Sequence, residues 1–195
     1  MSSPSLILTT ERLILRTWQP SDIPLMAAIS ADPAVMEFFP STQDLAATQR
    51  LVKLAIEHQT KHGYSLYPVE TKDSHEFIGF VGLLHPSFQI PNFKPKCLPI
   101  TEIGWRLSQT HWGKGYATEA AKAVLHLAMM QLNLTEIISF TAAVNSRSRK
   151  VMEKIRLQHD INDDFDHPSL HAESVLKRHV LYRISREAYL SNHQA

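Results

Sequence analysis

The chain's most suggestive chemistry lies in a short turn that carries two glycines, Trp112-Gly113-Lys114-Gly115-Tyr116-Ala117. Before it, Ile103, Trp105 and Leu107 alternate with Glu102, Gly104 and Arg106, the period-two pattern of a strand with one apolar face. After it, Ala117, Ala120, Ala121, Val124, Leu125, Ala128, Met129 and Leu132 recur at the spacing of a helix with one buried stripe. The order is therefore strand, glycine turn, helix. A helix N-terminus presents unpaired N–H groups at the positive end of its dipole, and glycines let a phosphate come close to that backbone. The chemistry expected of residues 113–118 is the binding of a pyrophosphate-like anion. The spacing is neither that of a Walker A loop nor G-x-G-x-x-G, and the competing reading is a tight left-handed turn with no ligand.

Other reactive residue types carry less. Cys97 is the only cysteine, which excludes an internal disulfide and a cysteine-based zinc site; it is either a thiol near a substrate or an incidental loop residue. Asp164, Asp166, His167 and His171 invite a metal reading, but Pro168 separates the histidines and acid-rich turns usually face water, so no metal is expected. A net charge of +1 without a clustered basic patch argues against a nucleic-acid partner. The hydrophobic share of 44% and charged share of 20% suit a globular domain, and no apolar run is long enough for a membrane span. MSSPSLILTTERL has no basic leader, so a cytoplasmic protein with no membrane partner is expected. At 195 residues the chain reads as a single domain, 1–195.

Other elements surround the turn. Thr10–Arg16 reads as an opening strand; Ser21 or Asp22 caps a helix ended by Asp32-Pro33; a short second piece follows over Ala34–Phe39. Thr42 or Asp44 caps a longer helix with Leu45, Thr48, Leu51, Val52, Ala55 and Ile56 as its stripe, stopped at Gly63. Tyr64–Thr71 and Glu76–Leu84 form an antiparallel hairpin around the polar turn 72–75, and Gly79 and Gly82 in its second strand call for a bulge or a close neighbour. Prolines at 86, 91, 95 and 99 exclude a regular element there; the segment is a substrate-side wall or a stiff surface excursion. Glu136–Val144 is a strand buried on both faces and parallel to the one before the turn. Ser146 is the expected cap of a helix that buries Val151, Met152 and Ile155, and Val175–Tyr189 closes the chain as a strand.

These residues carry a resemblance. EIGWRL followed by HWGKGYATEAA resembles the central strand and acetyl-CoA pyrophosphate loop of the GNAT N-acetyltransferase superfamily, in particular its RimJ/RimL-like (ribosomal-protein N-terminal acetyltransferase-like) branch. Trp112, Gly115 and Ala117 fall on the three specified positions of the family's Q/R-x-x-G-x-G/A loop, with Trp112 in place of Gln/Arg. Ile78-Gly79-Phe80-Val81-Gly82-Leu83 matches I-G-x-x-G-L, Asn145 and Ser148 match N-x-x-S, and DDFDHP with RHVLYRI extends the likeness to most of the chain.

The resemblance implies a single mixed α/β GNAT domain whose central sheet has splayed middle strands and flanking helices. It places acetyl-CoA, as co-substrate, between the strand bearing Ile103, Trp105 and Leu107 and the one at 137–144. Its pyrophosphate would lie on Gly113, Lys114, Gly115, Tyr116, Ala117 and Thr118, and its pantetheine arm on Asn145. Arg147, Arg149, Lys150 and Lys114 are phosphate candidates or ordinary solvated charges, and Asn145 read alone is equally a turn residue. Glu102 is the implied base, against the alternative of a solvated carboxylate paired with Arg106 on the same face. Two positions depart from the family. Met152 stands where many members keep an acidic tyrosine, leaving Ser148 as the substitute, and Arg156-Leu157 replaces the usual helix-ending glycine. The implied reaction is attack of a primary amine, from a protein N-terminus or a small molecule, on the thioester, in a monomer or a homodimer. The alternative is a non-catalytic acyl-CoA sensor on the same fold.

Overall fold

The computed structural model describes residues 5–91 and 93–192. They group into two compact units: one of residues up to Leu84 together with Gly104–Val124, the other of His85–Ile103 together with residues from Leu125 onward.

The first unit is an antiparallel meander under two helices. Strands β1 (Leu6–Thr9), β2 (Leu13–Arg16), β3 (Leu66–Thr71) and β4 (Phe77–Leu84) pair in that order. Of the opening strand expected over 10–16, only 13–16 forms one, and β1 precedes that range. The polar run Thr10–Arg12 turns between β1 and β2, Thr10 N–H reaching the Leu13 carbonyl while Thr10 Oγ1 accepts from Leu13 N–H, both at 3.0 Å. Helices α1 (Asp22–Ala31) and α2 (Leu45–His62) bury Met26, Ile29 and Ala55 with Leu66, Phe77 and Phe80 of the sheet. Asp44 caps α2 by accepting from Ala47 N–H, and Gly63 ends it at φ 80°, where a left-handed residue is needed. The stripe of α2 is narrower than expected: Leu45 and Ile56 are exposed. Neither candidate cap of α1 works as one. Ser21 makes no side-chain cap, and Asp22 is buried, gripped by Arg16 through two hydrogen bonds of 2.7 and 2.8 Å. Residues 34–39 form successive turns instead of a helical piece, begun by Asp32 Oδ1 accepting from Ala34 N–H.

The glycines of β4 have the predicted cause. Val69 pairs with Gly79 and Glu70 with Phe77, so Ile78 is the extra residue of a bulge. Gly79 has φ 130°, and a Cβ there would stand 2.1 Å from the Arg106 carbonyl. Only a glycine lets strand β5 (Glu102–Leu107) come this close, and Ser108 N–H closes the approach on the Ile78 carbonyl at 2.8 Å.

In the second unit the start of β5 runs parallel to β6 (Glu136–Ala142) at Glu102–Ile138. Strand β9 (Arg178–Ser185) lies antiparallel to the whole of β6 and also pairs with two short strands, β7 (Gln158–His159) and β8 (Phe165–Asp166). Ile90, Ile138, Phe165 and Leu181 form its core. The last strand is shorter than expected, because Ser185 caps a final helix α5 (Arg186–Ser191) by accepting from Ala188 N–H. Helices α3 (Tyr116–His126) and α4 (Ser146–Lys154) complete the set, and α3 continues into a π-helical turn at Leu127–Gln131. Antiparallel and parallel strands with flanking helices make this a mixed α/β fold.

Candidate functional site

In the first unit, the end of β5 leads through one 3-10 turn (Gln109–His111) to Trp112. The indole does not face outward: its Nε1 donates to the Leu107 carbonyl at 2.9 Å and its ring packs against the core around Phe77 and Phe80. Trp112 therefore fastens the loop to the strand it leaves. Gly113 and Gly115 follow at φ 74° and 84°, and a Cβ at Gly113 would meet nothing. Backbone conformation, not crowding, selects glycine there. The first bond of α3 runs from Glu119 N–H to the Gly115 carbonyl at 3.0 Å. The amides of Tyr116, Ala117 and Thr118 thus belong to a helix's first turn, where N–H groups have no partner within the helix. Lys114, Gly113 and Gly115 are exposed.

Arg12 holds this loop, and no sequence pattern pointed to it. Its Nη1 donates to the Lys114 carbonyl at 3.0 Å, its Nε and backbone N–H reach Glu119 at 2.7 and 2.8 Å, and its guanidinium lies 4.8 Å from the Tyr116 ring centre. Burial alone would raise the Glu119 carboxyl, but the hydrogen bonds from Thr10 and Arg12 hold it below its ordinary range. The partners lie 107 residues apart in sequence, beyond any local signal.

In the second unit, Glu102 keeps partial access to solvent at the start of β5, and burial pushes its carboxyl up to about 8. Arg106, the partner that alternation offered it, instead donates to Ser30 and Gln43. The Ile103 and Leu107 side chains lie fully in the core, so those two positions can offer a ligand only their main chain; Trp105 is half-buried. One residue past the Glu102–Ile138 pair, the Ile103 carbonyl is met by Ser139 Oγ at 2.8 Å.

Asn145, not Ser146, caps α4. Its Oδ1 accepts from Ser148 N–H at 3.1 Å, while its Nδ2 donates to Thr141 Oγ1 and to Ser148 Oγ at 2.9 and 3.1 Å. An asparagine at a strand-to-helix junction outcompetes the following serine because its carbonyl reaches the third amide on and its NH2 still satisfies two hydroxyls. Ser148 Oγ, accepting from Asn145, keeps its own proton to donate. Arg147 and Lys150 are exposed, whereas Arg149 is held by the Ala143 carbonyl and the Tyr182 hydroxyl. Met152 is buried. The missing glycine after α4 is replaced by Arg156 itself at φ 65°, with Leu157 N–H returning to the Met152 carbonyl at 3.0 Å. Of the residues that invited a metal reading, Asp164 takes His159 Nε2 and Leu181 N–H, Asp166 pairs with Arg178, and His167 packs on Phe88.

The Acetyltransferase (GNAT) domain family matches residues 12–158. The chain belongs to the GNAT family. It is an acetyl-CoA-dependent N-acetyltransferase. The GNAT protein is 30% identical over 153 residues to the uncharacterized protein YkkB of Bacillus subtilis, covering 78% of this chain and 85% of YkkB. It superposes on an acetyltransferase from Agrobacterium tumefaciens with a TM-score of 0.72 and 28% identity, covering 94% and 95% of the two chains. The ribosomal L7/L12 α-N-acetyltransferase RimL, in complex with coenzyme A, has a TM-score of 0.73 at 15% identity over 94% and 99%, a likeness of fold.

Proposed function

We propose that this GNAT protein moves the acetyl group of acetyl-CoA directly to a primary amine, on a protein N-terminus or a small molecule, within a ternary complex. Glu102 carries the reading: a partly accessible carboxyl on β5 raised to about 8 can take a proton from an ammonium as its carboxylate forms toward pH 8. The freed amine attacks the thioester carbonyl carbon, its nitrogen gives up the surplus proton, the C–S bond breaks as the tetrahedral intermediate collapses, and the thiolate takes a proton. Ser148 Oγ is the donor that α4 offers, because Met152 stands where many members keep a tyrosine. The amides of Gly113–Thr118 bind the pyrophosphate, with Lys114, Arg147 and Lys150 as charges toward the phosphates. Asn145 orients Ser148 and meets the pantetheine arm.

We further assign the protein to the RimJ/RimL-like branch, as one domain over 1–195, acting in the cytoplasm. The motifs EIGWRL and HWGKGYATEAA support the branch, and RimL's bound coenzyme A supports the donor. No described helix is long and apolar enough to cross a membrane. Mixing the protein with acetyl-CoA and a panel of polyamines, amino acids and N-terminal peptides tests the reading. Free thiol should appear with at least one class and not without amine. CoA binding with no thiol release across the panel would instead leave a non-catalytic acyl-CoA sensor.

A further inference from the structure

Two buried arginines of the first unit are treated in opposite ways. Arg16 is fully paired: Asp22 takes Nη1 and Nη2 in a fork, and Glu70 takes Nε at 2.7 Å. Arg106 is equally buried, at 8% exposure, yet no carboxylate pairs with it among the described residues. Its Nη1 donates to two neutral oxygens, Ser30 Oγ at 3.0 Å and Gln43 Oε1 at 2.9 Å, and its plane lies near the rings of Phe39 and Phe80 at 4.6 and 5.5 Å. Its Nε is buried with no hydrogen-bond partner. Burial lowers the guanidinium to about 10, so it stays charged at neutral pH.

A desolvated cation with an unfilled buried donor is costly unless something fills it. The Nε and Nη2 donors are parallel and spaced for the two oxygens of a carboxylate. Gln43, which steadies the other edge, also lines an open groove of about 500 Å3 between α1 and α2, together with Ala31, Thr42, Ala47 and Arg50. Asp44, on the same rim, is already committed to Ala47 N–H. The groove thus adds a second cation, Arg50, and no uncommitted acid.

We propose that Arg106 is a specificity-determining residue that takes the carboxylate of the acceptor, making the substrate class amines that also carry a carboxylate, such as amino acids and short peptides. This rests on the transfer reading above. Arg106 fixes the acid end of the acceptor through its Nε–Nη2 edge, and Ser30 and Gln43 hold the guanidinium in place through Nη1.

The test compares each amino acid with its C-terminal amide as acceptor, by kcat/KM from CoA release, in the wild type, Arg106→Lys and Arg106→Gln. The acid should be preferred by about 10- to 100-fold in the wild type, the range for losing a charge-assisted hydrogen bond. Arg106→Lys keeps charge and stem but loses the fork, so it should shrink the preference to a few-fold through KM, with CoA affinity unchanged. A second arm needs no turnover: with CoA present, N-acetylated amino acids should raise the melting midpoint of the wild type more than their N-acetyl amides do. Equal treatment of acids and amides by the wild type in both arms would overturn the assignment. So would a preference that survives Arg106→Gln, or a loss of CoA affinity in Arg106→Lys, which would make Arg106 a donor-side residue. If thiol release fails on every amine while the binding arm still favours acids, it is the transfer reading that falls and the carboxylate site that stands.

Discussion

Ser139 Oγ donates to the Ile103 carbonyl at 2.8 Å, one residue beyond the point where Glu102 and Ile138 pair in parallel. A side chain here takes over from the backbone ladder, so that a buried carbonyl is not orphaned. Ser139 is 2% exposed, so no water can replace it easily. Ser139→Ala should cost about 1–3 kcal/mol, the penalty of an unsatisfied buried acceptor, read as a lower urea midpoint with unchanged slope. An unaltered midpoint would mean that the Ile103 carbonyl finds another donor.

The binding loop gives a sharper expectation. Gly115 sits at φ 84°, and its Cβ position is 3.4 Å from Arg12 Nη2, ordinary contact distance. Gly115→Val must therefore distort the loop by its backbone preference, while little else is disturbed. CoA affinity should fall at least about tenfold with the circular dichroism spectrum retained. Equal affinity in calorimetry would show the loop to be a turn with no ligand role.

Arg12→Ala removes a brace and leaves the loop sequence untouched. Since Arg12 ties Lys114 to Glu119, its loss should loosen the loop before CoA binds, weakening affinity by roughly 3- to 10-fold through lost preorganisation. Amide exchange at 113–118 should quicken in the unliganded variant. No change in exchange would reassign Arg12 to the surface.

How much of this was legible in the sequence follows from the range of each interaction. Local patterns located α2, its Asp44 cap and Gly63 stop, the β3–β4 hairpin and the strand-turn-helix unit, because their causes lie within a few residues. The need for a close neighbour at Gly79 was also readable, although that neighbour, the Arg106 carbonyl, was not. The failures were contests among neighbours or across the chain. Asp22 gave up capping for an ion pair with Arg16, and Asn145 displaced Ser146 because it could satisfy Thr141 and Ser148 together. Trp112 occupies a loop position the resemblance gives to the cofactor, and that its ring also packs against the core was not readable locally. Arg12 was invisible for a simpler reason: its partners are at 114 and 119.

A pH effect on stability should come from His179. It is buried, its ring lies 5.5 Å from Phe165 and 5.0 Å from His167, and Lys177 also bears on the cluster. Burial lowers its pKa from an ordinary 6.5 to about 4, despite a bond to the Lys177 carbonyl. Between those values the unfolded chain binds a proton that the folded one refuses, so stability should fall as pH drops from 6.5 toward 4, by up to about 3 kcal/mol. His179→Phe should flatten that slope in urea titrations at pH 6.5, 5 and 4; an unchanged slope would assign it to other groups.

Glu102 makes opposite demands on stability and activity, which allows two independent readouts of one group. Its carboxyl is raised from 4.5 to about 8. Across that window the unfolded chain has lost the proton while the folded chain keeps it, so folding becomes less favourable as pH rises from about 4.5 to 8 and levels off above. Glu102→Gln stays neutral throughout and should remove this decline, leaving the variant more stable than the wild type at pH 8 and little different at pH 4.5. Activity should move the other way. Wild-type turnover should climb through pH 8 as the carboxylate forms, and Glu102→Gln should lower it by about 10² to 10⁴ at neutral pH with CoA affinity kept. The deficit should narrow at higher pH, where more of the acceptor is free amine. A variant that gains the stability but keeps wild-type turnover would confirm the buried carboxyl and strip it of its role as base, leaving positioning of the amine as the source of rate.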